Sequence, residues 1–260
     1  MSVIDKISTE YIWLLLVFMR IIGIFIIAPF YSSAKIMSQL KVGLTLLLSV
    51  VVFFSYDFSN LAKPELDVMY ISLIFKELAI GLFLGFILLL YFSIFNMAGN
   101  MIDAQIGFSM SSAFDPMSNS NVTVTANLYY TSAMLIFFSI NGHHWMIESM
   151  IKSFDILPLG NINVKWGLVE QFISNFSEVF ELSFKVAMPV MVTIFIANVT
   201  LGFLAKTVPQ MNVFVVGMPM KVAIGMVLLT LTAPLFVKTA SKIFEITEFE
   251  FLELLKHMKW

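Results

Sequence analysis

The chain has 260 residues, of which 59% are hydrophobic and 12% are charged, and its formal net charge is −2. Because soluble domains usually carry about 25% charged residues, the composition excludes an ordinary soluble domain and predicts a membrane protein. No basic stretch indicates nucleic-acid binding, and the absence of cysteine excludes disulfides, thiolate metal sites and cysteine nucleophiles.

The first half of the chain predicts three apolar helical segments. Arg20 interrupts the first, and no small-residue cleavage site follows, so we expect a retained span rather than a cleaved signal peptide. The third is longer than one simple span, and Gly81 and Gly85 within it form a GxxxG pattern that permits close helix packing. The three segments are Tyr11–Phe30, Val42–Phe58 and Met69–Ala98.

The second half predicts three further apolar segments and an amphipathic tail. A polar link of residues 205–212 joins the last two segments, which predicts a tight helical hairpin. Its turn residues are Pro209, Gln210 and Asn212. The tail from Lys238 to Trp260 interleaves Phe and Leu with Lys and Glu, which is typical of an amphipathic helix. The three segments are Val122–Ile140, Val179–Leu204 and Val213–Phe236.

Charged residues lie inside these apolar segments, where a charge at the bilayer centre is costly. One interpretation is a polar pathway, and the other is that these helices pack against other subunits instead of lipid. We favour the second. Glu181 and Lys185 are four residues apart, which predicts an ion pair on one helix face. These charges include Arg20, Lys76, Glu77, Glu181 and Lys185.

The stretch from Gly99 to Thr123 differs from the apolar segments around it. It has no Lys or Arg and contains a run of Ser and Asn. Ser and Gly favour a mobile loop, whereas Met and Phe are soft, adaptable apolar side chains of the kind that can close a hydrophobic constriction. We therefore expect a moving part of a pore. Its apolar residues are Met101, Ile102, Ile106, Phe108, Met110, Phe114 and Met117.

The chain lacks the common catalytic and metal-binding motifs. Adjacent His143 and His144 point to different helix faces, and no carboxylate completes a metal set. Neither a GxxxxGK[ST] phosphate loop nor a GxSxG nucleophile motif is present. Asp103 and Asp115 leave an acid–base pair open but without support. We expect a protein that is not an enzyme and has neither a metal site nor an ATP site.

Three separated motifs resemble the FliR family of flagellar export-gate proteins, called SctT in virulence secretion systems. In chain order they are IDAQIGFSMSSAFDP, FFSINGHHWMIESMIKSFDILPLG and PVMVTIFIANVTLGFLAKTVPQMNVFVVGMPMKVAIG. The resemblance covers nearly the whole chain, and the N-terminal 60 residues and the C-terminal tail match only in hydrophobic pattern. Three motifs in the right order are more specific than any one of them.

The resemblance implies an all-α, membrane-associated protein made of two parts. Residues 1–183 would be FliP-like and include the loop 107–121, which would plug the closed pore. Residues 184–260 would hold a FliQ-like helical hairpin and the amphipathic tail. The resemblance assigns the plug to Gly107, Phe108, Ser109, Met110, Phe114, Asp115, Pro116 and Met117.

The resemblance also implies partners and a location. The chain would join FliP-like and FliQ-like subunits in a hetero-oligomeric ring, next to FlhB-like and FlhA-like components, in the bacterial inner membrane at the flagellar basal body. Its substrates would be unfolded proteins in transit, and no cofactor would be bound. The main alternative is an ion-coupled small-solute transporter, although no repeat between the two halves of the chain supports it. An intramembrane enzyme is a third class, for which the catalytic groups are missing.

Overall fold

The computed structural model describes residues 3–31, 36–56, 68–108, 123–160, 166–208, 210 and 212–258. These residues form α-helices, with no strand among them, which confirms the predicted all-α class. The described helices are α1 (Val3–Ile27), α2 (Ser38–Ser55), α3 (Val68–Ile106), α4 (Val124–Ser139), α5 (Gly142–Ile156), α6 (Trp166–Thr207) and α7 (Val213–His257).

Four of the described helices, α2, α3, α6 and α7, are long and apolar enough to cross a membrane. Helix α1 carries a shorter apolar part, Tyr11–Ile27. These lengths and compositions confirm the prediction of a membrane protein, since a span needs roughly 20 mostly apolar residues.

Several helices extend beyond the predicted apolar segments. Helix α3 continues past Ala98 to Ile106, and α6 begins at Trp166, before the predicted segment Val179–Leu204. The predicted tail is not a separate helix, because α7 runs without a break to His257. Hydropathy identifies only the apolar part of a helix. The helical backbone itself can continue into polar sequence, because a change in polarity does not end a helix. Pro189, Pro219 and Pro234 all lie inside helices.

The chain forms two compact units, each built from separated stretches of sequence. The first comprises residues 1–90, 143–173 and 247–260, and the second comprises residues 91–142 and 174–246. Helices α3, α6 and α7 each contribute residues to both units. The predicted boundary after residue 183 lies within α6 and stays a prediction.

In the first unit, helices α1 and α3 cross where both carry glycine. A Cβ on Gly81 would collide with the backbone oxygen of Arg20, and a Cβ on Gly85 would lie 2.8 Å from the backbone oxygen of Ile24. On the opposite helix, a Cβ on Gly23 would lie 2.9 Å from the Cα of Gly81. The predicted packing role of the GxxxG pattern is therefore confirmed.

The second unit is built around an aromatic cluster. Phe244 of α7 lies 5.2 Å from Phe92 and 5.5 Å from Phe95 of α3, and 5.2 Å from Phe137 of α4, measured between ring centroids. Phe236 lies 5.8 Å from Phe95. Such ring pairs stabilise a core by about 0.5–1.5 kcal/mol each beyond the area they bury. The cluster joins α3, α4 and α7.

Candidate functional site

The predicted plug is described only at its first two residues. Gly107 and Phe108 lie just past the end of α3. In the predicted hairpin turn, Gln210 and Asn212 are described. The predicted residues that lie outside the described part of the chain are Ser109, Met110, Phe114, Asp115, Pro116, Met117 and Pro209.

Helix α3 ends in a capping turn centred on Gly107. This glycine has φ +100°, a left-handed conformation that side-chain-bearing residues rarely adopt. The N–H groups of Gly107 and Phe108 both donate to the carbonyl oxygen of Asp103, at 3.0 Å each. The bond from Phe108 is the Schellman pattern, in which a residue beyond the glycine satisfies a carbonyl that the helix leaves free. The stretch from Gly99 to Ile106 is therefore helical, and the chain leaves the helix at Gly107.

Helix α4 begins at a cap supplied by another helix. The carboxylate of Asp103, on α3, accepts the backbone N–H of Thr125 at 2.9 and 3.1 Å and that of Ala126 at 3.3 Å. Thr123 occupies the N-cap position, but its own side chain makes no capping hydrogen bond. Charged hydrogen bonds of this type contribute about 1.5–3 kcal/mol each, and the N-terminal end of the helix dipole favours the negative charge.

Close packing surrounds this junction of α3 and α4. A Cβ on Gly99 would collide with the Cα of Ala126, so the two helices touch at their backbones. A Cβ on Gly225 of α7 would lie 2.5 Å from Ile106, the last residue of α3. Asp103 itself is only 1% exposed. The two ends of segment 107–123 are therefore attached to one well-packed junction of α3 and α4.

A second polar site lies in the first unit, between Arg20 of α1 and Glu77 of α3. Arg20 Nε donates to Glu77 Oε2 at 2.6 Å, and both side chains are fully buried. The other carboxylate oxygen of Glu77 accepts the N–H of Gly160 at 2.8 Å. Two charges that would each be costly in an apolar interior thereby neutralise each other.

The guanidinium of Arg20 also holds the C-terminal end of α5. Its Nη1 donates to the carbonyl oxygens of Ser153 at 3.0 Å and Leu157 at 2.9 Å. Its central carbon lies 4.4 Å from the ring centroid of Phe154. A cation at this end of a helix is favoured by the helix dipole. Arg20 and Glu77 therefore join α1, α3 and the turn that follows α5.

Tyr56, at the C-terminal end of α2, contacts the same part of α5. Its hydroxyl donates to the carbonyl oxygen of Phe154 at 3.1 Å. Burial raises the pKa of Tyr56, Asp155 raises it further, and Arg20 lowers it. The phenol is therefore neutral at physiological pH and remains a hydrogen-bond donor.

The remaining predicted charges lie on exposed helix surfaces. Lys185 Nζ is 2.5 Å from Glu181 Oε1, and their side chains are 59% and 65% exposed. Lys76 is exposed, whereas its neighbour Glu77 is buried. In the predicted hairpin turn, the side chain of Asn212 accepts the N–H of Val215 at 3.3 Å and so caps α7.

The described residues offer little for catalysis. They contain no group of three His, Asp or Glu side chains that could hold a metal ion. Each oxygen of the Asp103 carboxylate already accepts hydrogen bonds from backbone N–H groups. The rings of His143 and His144 contact each other, with centroids 4.4 Å apart.

Two of these relationships were not predicted from the sequence. Arg20 and Glu77 stand out as charges inside apolar segments, but their pairing was not predicted, although opposite charges in two apolar helices are a signal for pairing. Asp103 lies in the last turns of α3, where the helix dipole disfavours a negative charge. This unfavourable position within α3 was the available signal that the carboxylate of Asp103 interacts with a different helix.

Comparisons with known proteins identify the family. Residues 11–247 match the model of bacterial export proteins, family 1. The chain is 33% identical over 245 residues to the flagellar biosynthetic protein FliR of Aquifex aeolicus, and 31% identical over 239 residues to that of Bacillus subtilis. These alignments cover 93% and 90%, respectively, of each chain. It is 26% identical to the Yop proteins translocation protein T of Yersinia pestis, over 86% of each chain. The chain therefore belongs to family 1 of the bacterial export proteins.

Proposed function

We propose that this chain is a subunit of a type III protein export gate that serves flagellum assembly. The observation that carries the proposal is the family match over residues 11–247, with relatives that are named for flagellar biosynthesis and for protein translocation. The two flagellar relatives above are more similar to this chain than the Yop translocation protein is, at 33% and 31% identity against 26%. That difference supports the flagellar assignment.

We place the chain in the bacterial inner membrane, at the flagellar basal body, as part of a multi-subunit ring. The partners we propose are FliP-like and FliQ-like subunits, with FlhB-like and FlhA-like components nearby. Large apolar side chains exposed on α6 and α7 support this, because such side chains need lipid or partner helices to cover them. On these two helices they include Phe195, Ile196, Val199, Phe203, Val215, Val227, Leu231 and Leu235.

The segment Gly107–Asn121 is proposed to seal the closed pore. A conduit for unfolded chains of many sequences needs a constriction that excludes ions without binding particular side chains, and Met and Phe provide soft apolar contacts of this kind. The well-packed junction of α3 and α4 at Asp103, Gly99 and Ile106 supports the proposal, because a seal must be anchored at its ends.

We propose that the protein is not an enzyme and needs no cofactor. A small-solute transporter would need charged side chains free to bind an ion or solute. Arg20 and Glu77 instead bind each other and three backbone groups while fully buried. No observation in the described residues favours the transporter.

The proposal is tested by deleting the gene for this chain in its own host and measuring the flagellar proteins released into the medium. We expect export and swimming to stop, and plasmid-borne wild-type protein to restore both. The matched control is a plasmid carrying the Gly43→Ala variant, because a Cβ on Gly43 would contact nothing within 4 Å. Normal flagella in the deletion strain would contradict the flagellar assignment.

A further inference from the structure

We propose that Asp103 is the positioning residue of the gate, fixing the points where segment 107–123 leaves α3 and enters α4. The inference rests on the proposed function, since it assigns the part that anchors the proposed seal. Its backbone carbonyl receives the N–H groups of Gly107 and Phe108, which ends α3. Its carboxylate receives the N–H groups of Thr125 and Ala126, which begins α4.

The negative charge of Asp103 is favourable for the dipole of α4 and unfavourable for the dipole of its own helix, α3. Asp103 lies near the C-terminal end of α3, where a carboxylate faces the negative end of the dipole, and the last turn of α3 has no basic residue. Helix α4 has no acidic residue in its first turn. The carboxylate of Asp103 supplies the missing negative charge there.

A local cap was available to α4 and is not used. Thr123 stands at the N-cap position and threonine is a favoured N-cap residue, yet it makes no capping hydrogen bond from its side chain. A cap from Thr123 would stabilise α4 without joining it to α3. The cap from Asp103 does both, which is what an anchor for the two ends of one segment requires.

Packing independently holds the same junction. The Cα of Gly99 lies against Ala126 so closely that a Cβ would not fit, and a Cβ on Gly225 would overlap Ile106. Asp103 lies between Gly99 and Ile106 in sequence and is buried at 1% exposure. The hydrogen bonds of Asp103 therefore act on helices that are already in contact and set the position of their ends.

The experiment separates anchoring from simple helix capping. Asp103→Ala removes both roles of the carboxylate. Adding Thr123→Asp to that variant returns a local N-cap to α4 but cannot join α4 to α3. Each variant is produced in the assembled membrane complex, and two quantities are measured: the melting temperature of the purified complex and the leak of small solutes into resting cells.

We expect Asp103→Ala to lower the melting temperature and to raise the resting leak several-fold. We expect the double variant D103A/T123D to recover the melting temperature while the leak stays high. A double variant that is as tight as wild type would overturn the proposal, because Asp103 would then be only a helix cap. Asp103→Asn keeps the side-chain shape and one acceptor oxygen, so it serves the same test if Asp103→Ala fails to assemble. We expect a smaller but measurable leak from it, and no leak would overturn the proposal.

Deletion of residues 109–120 is the positive control, and it tests the proposed seal separately from the anchoring role of Asp103. A leaking deletion together with a tight, assembled Asp103→Ala variant overturns the anchoring role and leaves the seal standing. A deletion that assembles and does not leak overturns the seal, and with it the anchoring role.

Discussion

Arg20 and Glu77 are joined by an ion pair whose two side chains are completely buried, with Nε and Oε2 2.6 Å apart. The residues are far apart in sequence and lie on different helices. Between them they bind the carbonyl oxygens of Ser153 and Leu157 and the N–H of Gly160. One ion pair thereby connects α1 and α3 with the end of α5.

Removing one partner of this pair should be far more damaging than replacing both. Glu77→Leu leaves a buried, uncompensated guanidinium, and such losses cost about 3–5 kcal/mol. The double variant R20M/E77L removes both charges, so we expect it to be less damaging than Glu77→Leu alone. The measurement is the melting temperature and yield of the membrane complex.

Lys76 supplies the matched control for that experiment. It is adjacent to Glu77 on α3 but exposed, so Lys76→Leu should change the melting temperature little. Equal effects of Lys76→Leu and Glu77→Leu would show that the buried pair has no special role in stability.

The crossing of α1 and α3 should not tolerate a methyl group at Gly81. Gly81→Ala directs a Cβ into the backbone of Arg20, where no flexible side chain can move away. Overpacking of this kind typically costs about 1–3 kcal/mol. The control is Gly202→Ala, since a Cβ on Gly202 would contact nothing within 4 Å. A complex with Gly81→Ala that melts at the wild-type temperature would refute the close crossing.

The exposed pair Glu181–Lys185 should contribute little to the stability of the chain by itself. Ion pairs four residues apart on an exposed helix face are worth about 0.3–0.5 kcal/mol. In the assembled ring, we expect the exchange E181K/K185E to assemble better than Glu181→Lys or Lys185→Glu alone, since only the exchange keeps opposite charges adjacent. Co-purification of the complex measures this, and equal yields from all three variants would mean that the two residues do not act as a pair.

The apolar character of the proposed seal can be tested apart from its length. Deleting Ser109–Ser120 should make resting cells leak ions, because the constriction is removed. Replacing Met110, Phe114 and Met117 together with Ser keeps the length but removes soft apolar contacts, so we expect a leak here too. Membrane conductance reports both variants. If the triple Ser variant is tight while the deletion leaks, the seal depends on bulk and not on apolar contact.

The helices were predictable from sequence because long apolar runs have few alternatives to a helix in a membrane. Their ends were less predictable. Helix α7 passes through Pro219 and Pro234 and continues into the charged tail, so neither proline nor a drop in hydropathy marked its end. Asn141, at φ 58°, separates α4 from α5, and the Asn–Gly pair there was a readable signal.

The partners of individual charges could not be predicted, because they depend on which helices meet. The pairing of Glu181 with Lys185 follows from helix periodicity alone and was predicted. The partner of Glu77 lies on another helix, and only the crossing of α1 and α3 brings Arg20 to it. The partners of the Asp103 carboxylate likewise could be found only once the position of α4 was known. Residue spacing fixes contacts within a helix, whereas contacts between helices come from packing.

The composition of the native complex tests the central claim most directly. The chain is tagged at its C-terminus, purified from its own host in mild detergent and weighed by native mass spectrometry. We expect one copy of this chain in a ring with several copies of FliP-like and FliQ-like subunits. A stable monomer or homodimer without those subunits, able to bind a small solute, would contradict the claim that this protein forms part of an export gate.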